Sequence, residues 1–302
     1  MTQTALILGG TGKIGSHAAE AFDRAGWNLR QFNRKTDDMI SAARDVDVII
    51  NGLNPPNYAN WAKTIPAITK QVIAAAKASG AMVIIPGNIY NFGDQPGELN
   101  ETTPHLAHTR KGKIRIDMEA AYRQSGVQTI ILRAGNFIDP RQNGDIMSHF
   151  IMRAAKSGKI IHGGDPDCRN AYAYVPDWAR AAVMLAEKRQ ELARFVDIPF
   201  PGHSFSIAEF AAHVAARTGQ DFKCDAFPWW LMTLAAPVWE LARELREMRY
   251  LYGMDHWIGS EKFARILPDF QATPLAQVMD AGIPNDLPTE TGTALGHEKI
   301  VT

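Results

Sequence analysis

Ala5-Leu6-Ile7-Leu8-Gly9-Gly10-Thr11-Gly12-Lys13-Ile14-Gly15 decides the fold of this chain. The four apolar residues read as a short strand, and Ser16-His17-Ala18-Ala19-Glu20-Ala21-Phe22 after them reads as a helix. Between the two, Gly10, Gly12 and Gly15 fit the spacing G-x-G-x-x-G, while Gly9, Gly12 and Gly15 fit the related G-x-x-G-x-x-G. Either spacing serves the same physics. The turn needs backbone angles that a Cβ opposes, and the chain must approach a pyrophosphate closely. The free N–H groups at the helix start then face that negative charge. A strand before the glycines and a helix after them make this a dinucleotide site, with Gly9, Thr11, Gly12, Lys13, Ile14 and Gly15 as its contacts.

The next strand, Asn28-Leu29-Arg30-Gln31-Phe32, runs into Asn33-Arg34-Lys35. About 20 residues past the glycines, NAD sites carry an acidic side chain for the ribose 2′-hydroxyl. Two cations stand here instead, matched to a 2′-phosphate that a carboxylate repels. Asn33, Arg34 and Lys35 are therefore expected to hold NADP rather than NAD, with Arg34 foremost because its planar guanidinium binds phosphate in a bidentate way. The alternative is a solvated loop in which Arg34 and Lys35 pair with Asp37 and Asp38.

The 302 residues suffice for one large domain or somewhat more. Lys plus Arg and Asp plus Glu both number 32, so nothing in the overall charge points to nucleic acid or to an acidic membrane surface. Cys168 and Cys224 stand far apart and read as ordinary thiols, and the histidines show no metal-ligand spacing, so no metal is expected. The first strand begins almost at Met1, and no apolar run reaches the ~18 residues of a membrane span; a cytoplasmic protein is expected. Trp229 to Ala236 is apolar but bracketed by Pro228 and Pro237, as befits a buried or interface helix.

Strands and helices alternate onward. Val46 to Ile50 is a short apolar strand, Ala59 to Ser79 a helix closed by Gly80, and Ala81 to Ile85 a strand stopped by Pro86-Gly87. Residues 110–125 read as a helix closed by Gly126, and Val127 to Arg133 as another buried strand. Only one short helix fits between Thr36 and Asp45. This alternation predicts an α/β, Rossmann-like doubly wound parallel sheet, with ligands beyond the carboxyl ends of its strands. There the loop Asn51-Gly52-Leu53-Asn54-Pro55-Pro56 is expected to cover the cofactor through Gly52, Leu53 and Asn54. The second half is less regular. Ser206–Thr218 and Trp229–Arg249 read as helical, and Pro199–Pro201, Asp225–Pro228 and Gly253–Asp255 as connections. Residues 1–165 are expected to form the cofactor domain, with some later segments returning to it. Residues 166–283 then form a smaller, helix-rich substrate lobe, and 284–302 a loosely ordered tail.

Four stretches carry a family resemblance. They are the glycine turn, Ile89-Tyr90-Asn91-Phe92-Gly93, Leu132-Arg133-Ala134-Gly135-Asn136-Phe137, and Tyr172-Ala173-Tyr174-Val175-Pro176-Asp177-Trp178-Ala179. In this order they resemble the extended branch of the short-chain dehydrogenase/reductase superfamily, the NAD(P)-dependent epimerase/dehydratase group. The resemblance implies a Ser, a Tyr and a Lys at the chemical centre, the last two spaced Tyr-x-x-x-Lys, and places Asn136 beside the nicotinamide. In Thr109-Arg110-Lys111-Gly112-Lys113, Lys113 fits the lysine that holds the nicotinamide ribose, but Thr109 stands for the tyrosine and Pro86 for the serine. A threonine hydroxyl does not ionise near neutrality and cannot replace a phenol as general acid. Tyr90, and then His105 or His108, are the groups left to take that part.

Tyr58, Trp61, Tyr90, Phe92, Phe137 and Arg141 are expected to border a substrate from one side, and Arg169, Trp229, Trp230 and Arg249 from the other. Arginines with stacking aromatics suit a sugar nucleotide. Two functions follow. One is an NADP-dependent oxidoreductase or epimerase/dehydratase-like enzyme acting on a nucleotide sugar or small carbonyl compound. The other is a non-catalytic NADP(H)-binding sensor. The resemblance also implies a homodimer through the helices near 59–79 and 108–125.

Overall fold

The computed structural model describes residues 2–55 and 58–288. Its first half runs β1 (Thr4–Leu8), α1 (Lys13–Arg24), β2 (Asn28–Phe32), α2 (Met39–Ala42), β3 (Val48–Asn51), α3 (Trp61–Ser79), β4 (Met82–Gly87), β5 (Gly97–Leu99), α4 (Arg110–Ser125), β6 (Thr129–Arg133) and β7 (Asn136–Ile138). Then come β8 (Lys159–His162), β9 (Asn170–Tyr174), α5 (Val175–Glu187), β10 (Phe195–Pro199), β11 (His203–Phe205) and α6 (Ile207–Thr218). The described chain ends with β12 (Lys223–Ala226), α7 (Trp229–Ala235), α8 (Glu240–Glu247), β13 (His256–Ile258), α9 (Glu261–Ile266) and α10 (Leu275–Ala281).

Six strands form one parallel sheet in the order β10-β6-β4-β3-β1-β2. Alternate side chains divide its two faces, as a two-residue period requires. Ala5, Ile7, Ile84 and Leu132 pack with Phe22 of α1 and Trp178 of α5, while Leu6, Leu8, Val83 and Ile131 pack with Val72 of α3 and Tyr122 of α4. Each such buried side chain contributes about 1.5–3 kcal/mol. The apolar residues of α3 and α4 turn inward; Lys63, Lys70, Lys113 and Asp117 stand exposed.

The chain order reverses between β1 and β3, so the carboxyl ends of these two strands frame the crevice where doubly wound sheets bind ligands. β2 is the sheet's edge, and the short α2 follows it where only one short helix was expected. The Arg30 guanidinium donates to Ala42 O (2.8 Å) and Arg44 O (2.6 Å), closing the end of α2.

Several boundaries differ from those read in the sequence. Pro86-Gly87 does not stop β4: both residues pair with Leu132 and Arg133 of β6. β3 flanks β4 only from Met82 to Ile84, so Pro86 lies where the strand has lost one neighbour and its missing N–H is tolerated. The helix read over Trp229–Arg249 is two helices, because Pro237 breaks the run. Asp225 and Ala226 lie in β12, and Pro199 ends β10, rather than both forming connections.

The smaller lobe holds more strand than its helical pattern suggested. β11-β9-β7 form one sheet, while β12–β8 and β13–β5 form parallel pairs. Its core gathers Ile138, Met147, Tyr172, Phe205, Phe210 and Val278. The segments that return to the cofactor domain are α5, β10 and Phe263 of α9, so the division at residue 165 is crossed in both directions. Leu287 of the expected loose tail is buried in the lobe core; residues 289–302 lie outside the described residues.

Candidate cofactor and active site

The glycine turn is locked by close approach. Gly9 has φ 76°, and a Cβ at Gly15 would stand 2.2 Å from Gly9 O. A Cβ at Gly52, in the loop after β3, would stand 2.9 Å from Leu8 O. The turn, the start of α1 and the β3 loop therefore interlock only as three glycines. Gly10 has no such need, since its added Cβ would meet only the end of the Gln31 side chain. Of the two spacings in the sequence, Gly9-Gly12-Gly15 is the one the backbone requires. Gly12 caps α1 without a side chain, and no acid stands in the first turn, which leaves the helix start open to an anion. In the β3 loop, Leu53 N donates to Asn51 Oδ1 (3.3 Å), and Trp61 Nε1 donates to Asn54 Oδ1 (3.1 Å). Pro56 lies outside the described residues.

A second loop straps the turn from above. After β7, residues 139–145 cross α1: His17 Nε2 donates to Asp139 Oδ1 (2.8 Å), and Arg141 pairs with Glu20. Asn143 Nδ2 reaches Thr11 O at 3.4 Å, and Lys13 Nζ donates to Gly144 O at 2.5 Å. Burial pulls the Lys13 pKa down despite Asp145 and Asp139 nearby. Lys13, read as a cofactor contact, thus also anchors the strap. Burial alone would raise the Asp139 carboxyl, but hydrogen bonds from His17 and the Arg141 N–H outweigh it and hold its pKa below the usual value. Asn136 starts β7, just past the end of β6.

The ends of β2 and α2 decide the fate of the two cations. Asp37 accepts from Asn33 N (2.8 Å) and from the Thr36 hydroxyl (2.7 Å), and Asp38 accepts from Ser41 N (2.8 Å) as the cap of α2. Lys35 N donates to Asn33 Oδ1 at 3.0 Å. Both acids are spent on the backbone and on Thr36. The Arg34 and Lys35 side chains are exposed and meet no carboxylate among the described residues.

At the start of α4 the sequence reading needs correction. Thr109 is the helix cap, its buried hydroxyl accepting from Gly112 N (3.1 Å), which is a structural task rather than an acid's. Lys113 lies on the solvent face of α4 beside exposed Asp117, and so does not enter the site. The lysine on the inward face is Lys111, with Arg115, Met118 and Tyr122 following at helical spacing. Lys111 is fully buried, pairs with Glu244 and Glu247 (3.0 Å) of α8, and lies 4.9 Å from the centre of the Tyr58 ring. Counting Tyr-x-x-x-Lys back from Lys111 puts Ala107 at the tyrosine position.

Tyr58, Trp61 and Tyr90 do converge, beyond the end of β4. The Tyr58 and Tyr90 hydroxyls are 3.3 Å apart, and Trp61 meets Tyr58 edge-on at 5.6 Å. The Arg115 guanidinium lies 5.3 Å over Trp61 and reaches Pro86 O at 3.5 Å. Burial, then Tyr58, pushes the Tyr90 phenol well above its ordinary pKa, which favours its neutral form.

The other predicted border residues scatter. Phe92 is buried beneath Arg133 and Phe137 packs on Trp178. Arg169 pairs with Glu209 (2.5 Å). Arg133 itself is fully buried between Glu119 (2.8 Å) and Asp197 (2.5 Å); burial opposes its charge, but the two carboxylates win and raise its pKa. His105 stands near this trio, its pKa lowered by burial and by Arg133, and His108 lies edge-on to Tyr250. In the smaller lobe Arg249 lies 5.8 Å over Trp229, and both line a hollow of about 570 Å³. Trp230 is exposed. Lys111, Arg115 and the α8 carboxylates escaped the sequence reading; the only signal was a second lysine two residues from the first.

The description "NAD dependent epimerase/dehydratase family" matches residues 67–198, from α3 through β10. That match spans less than half of the chain. Among curated proteins, UDP-glucuronic acid decarboxylase 1 of Xenopus tropicalis is 24% identical over 255 residues. The match covers 71% of this chain and 60% of that relative's length. Among solved structures, MoeE5 in complex with UDP-glucose and NAD superposes with a TM-score of 0.73 at 14% identity, covering 92% of this chain and 97% of that one. UDP-glucuronic acid 4-epimerase from Bacillus cereus, with UDP-glucuronic acid and NAD, gives 0.72 at 14% identity over 93% and 98%. A putative epimerase from Burkholderia cenocepacia J2315 gives 0.73 at 17% over 93% and 98%. These likenesses establish a shared Rossmann-type fold.

Proposed function

We propose that this chain is an NADP-dependent oxidoreductase or epimerase/dehydratase-like enzyme acting on a nucleotide sugar or a small carbonyl compound. The observation that carries the nucleotide part is the open start of α1 above the interlocked Gly9, Gly15 and Gly52, at the switch point of the sheet. The solved relatives hold NAD. The preference for NADP is inferred from Arg34 and Lys35, which stand exposed and, among the described residues, without carboxylate partners, at the distance from the glycines where a 2′-phosphate is expected. The relatives' UDP-glucuronic acid and UDP-glucose make these the first sugar nucleotides to try.

When bound, the nicotinamide supplies or accepts a hydride. The chain supplies the rest beyond the end of β4. Tyr90, oriented by Tyr58, donates a hydrogen bond to a substrate oxygen, and Arg115 adds positive charge where negative charge develops. Such a site suits reduction of a carbonyl or of a conjugated double bond, in which no strong base is required.

The test is a fluorescence titration with NADPH and NADH, followed by nicotinamide absorbance in the presence of UDP-glucuronic acid, UDP-glucose and small carbonyls. NADPH is expected to bind the tighter, and Arg34→Glu to reverse that order; equal affinities in both proteins would reject the Arg34 assignment. Consumption that falls in Tyr90→Phe supports the enzyme. Tight binding with no consumption favours the non-catalytic sensor, a reading that Pro86, Ala107 and the capping Thr109 support by leaving no ionisable acid at the family's positions.

A further inference from the structure

Five of the nine large hydrophobic side chains that stand exposed among the described residues come from one ten-residue stretch. They are Trp230 (64% exposed), Leu231 (42%), Leu234 (70%), Val238 (90%) and Trp239 (47%), along α7 and its turn into α8. Pro237 forces that turn, and the near-complete exposure of Val238 marks a protruding tip rather than a groove. Scattered single apolar residues on a surface need no explanation; a contiguous cluster does.

The charge beside the tip is one-sided. Arg243, Arg246 and Arg249 are exposed and pair with no carboxylate among the described residues. Arg243 donates to Ala236 O (2.8 Å), which ties its cation to the tip itself. Glu244 and Glu247 line the same hollow as these arginines but are engaged by other cations: Glu244 holds Arg110 and Lys111, Glu247 holds Lys111, and Glu240 accepts from Asn60 N. These arginines line the 570 Å³ hollow above Trp229, and Arg249 and Trp230 share the adjoining one. An apolar protrusion beside exposed arginines that have no carboxylate partner among the described residues suits a segment that lies in an anionic lipid interface. No helix of the described chain is long and apolar enough to cross a membrane.

We propose that the α7–α8 hairpin docks this protein on an anionic lipid surface, the tip entering the interface and Arg243 and Arg246 meeting headgroup phosphates. A second copy is the alternative occupant, and the oligomeric state in solution separates the two. The chain's zero net charge conceals this local excess.

The full chain is mixed with phosphatidylcholine vesicles with and without phosphatidylglycerol, and binding is followed by flotation and by tryptophan quenching with brominated lipid. Binding is expected only with phosphatidylglycerol, weakening about fivefold for each of Arg243→Gln and Arg246→Gln. The double variant Leu234→Asp, Val238→Asp is expected to lose binding while retaining its NADPH affinity, which shows that it is folded. No binding to anionic vesicles, or equal binding by the double variant, overturns the proposal. So does a dimer in solution that the double variant abolishes, which assigns the face to a second copy. Complete displacement of vesicles by UDP-glucose would assign the arginines to a sugar nucleotide and also overturn it.

Discussion

Thr109 and the two lysines after it show how much one residue's placement decides. The Thr109 hydroxyl serves the helix, so Thr109→Val is expected to lower stability by about 1 kcal/mol in denaturant unfolding while leaving NADPH affinity unchanged. Lys113→Met, on the solvent face, is expected to change neither stability nor any turnover. Lys111→Met removes the buried cation shared by Glu244 and Glu247, leaves Glu244 only the half-exposed Arg110, and is expected to cost up to about 3–5 kcal/mol. If Lys113→Met were the damaging change, the correction of the lysine's position would be wrong. Lys111 and Lys113 lie two apart, about 200° around a helix, so only one of them can face the sheet. A five-residue motif with its tyrosine missing offered no means to tell which. The cationic pair Arg34-Lys35 was legible because its meaning depends on distance from the glycines; that its neighbouring acids were spent on Asn33 N, Thr36 and Ser41 N was not.

Among elements, those longer than about ten residues announce themselves by period, and those of three or four do not. α3 and α4 fall where the reading and the closing Gly80 and Gly126 put them, and α6 lies within the helix read over Ser206–Thr218; Gly80, Gly126 and Gly219 all take the left-handed conformation. β5, β7, β11 and β13, three residues each, exist only through their partners. The strap after β7 is of this kind, and its anchor is testable. Asp139, held below its ordinary pKa, stabilises the fold at every pH above the usual carboxylate range, and that contribution is lost as pH falls through its depressed value. Asp139→Asn is therefore expected to cost about 1–3 kcal/mol at neutral pH, with the gap to the parent closing below about pH 4. A pH-independent gap in urea unfolding would mean that the carboxylate's charge does not hold the strap.

At the scale of the molecule, the alternating order of strands and helices was enough to imply the doubly wound sheet, whereas the relation of the two lobes was hidden. Nothing in a sequence says that α8, far along the chain, closes over the start of α4. The tie is ionic and buried: Lys111 between Glu244 and Glu247, with Arg110 on Glu244. Such a cluster holds only while complete, since one missing partner leaves a charge buried and unpaired. In the double variant Glu244→Gln, Glu247→Gln, Lys111 keeps the Glu244 backbone carbonyl at 2.8 Å but loses both anions. The fold can then escape the penalty in one of two ways, by losing several kcal/mol of stability throughout or by letting the α7–α8 hairpin swing away and admit water to the lysine. The hydrophobic contacts between the hairpin and the sheet domain are few compared with those inside the central sheet, so release is the cheaper route. Hydrogen exchange is expected to accelerate across residues 229–253 while β1, β4 and β6 keep their protection. Uniform acceleration through the sheet would instead make the ionic cluster part of the global core, and unchanged exchange in the hairpin would show that packing alone holds the lobes together.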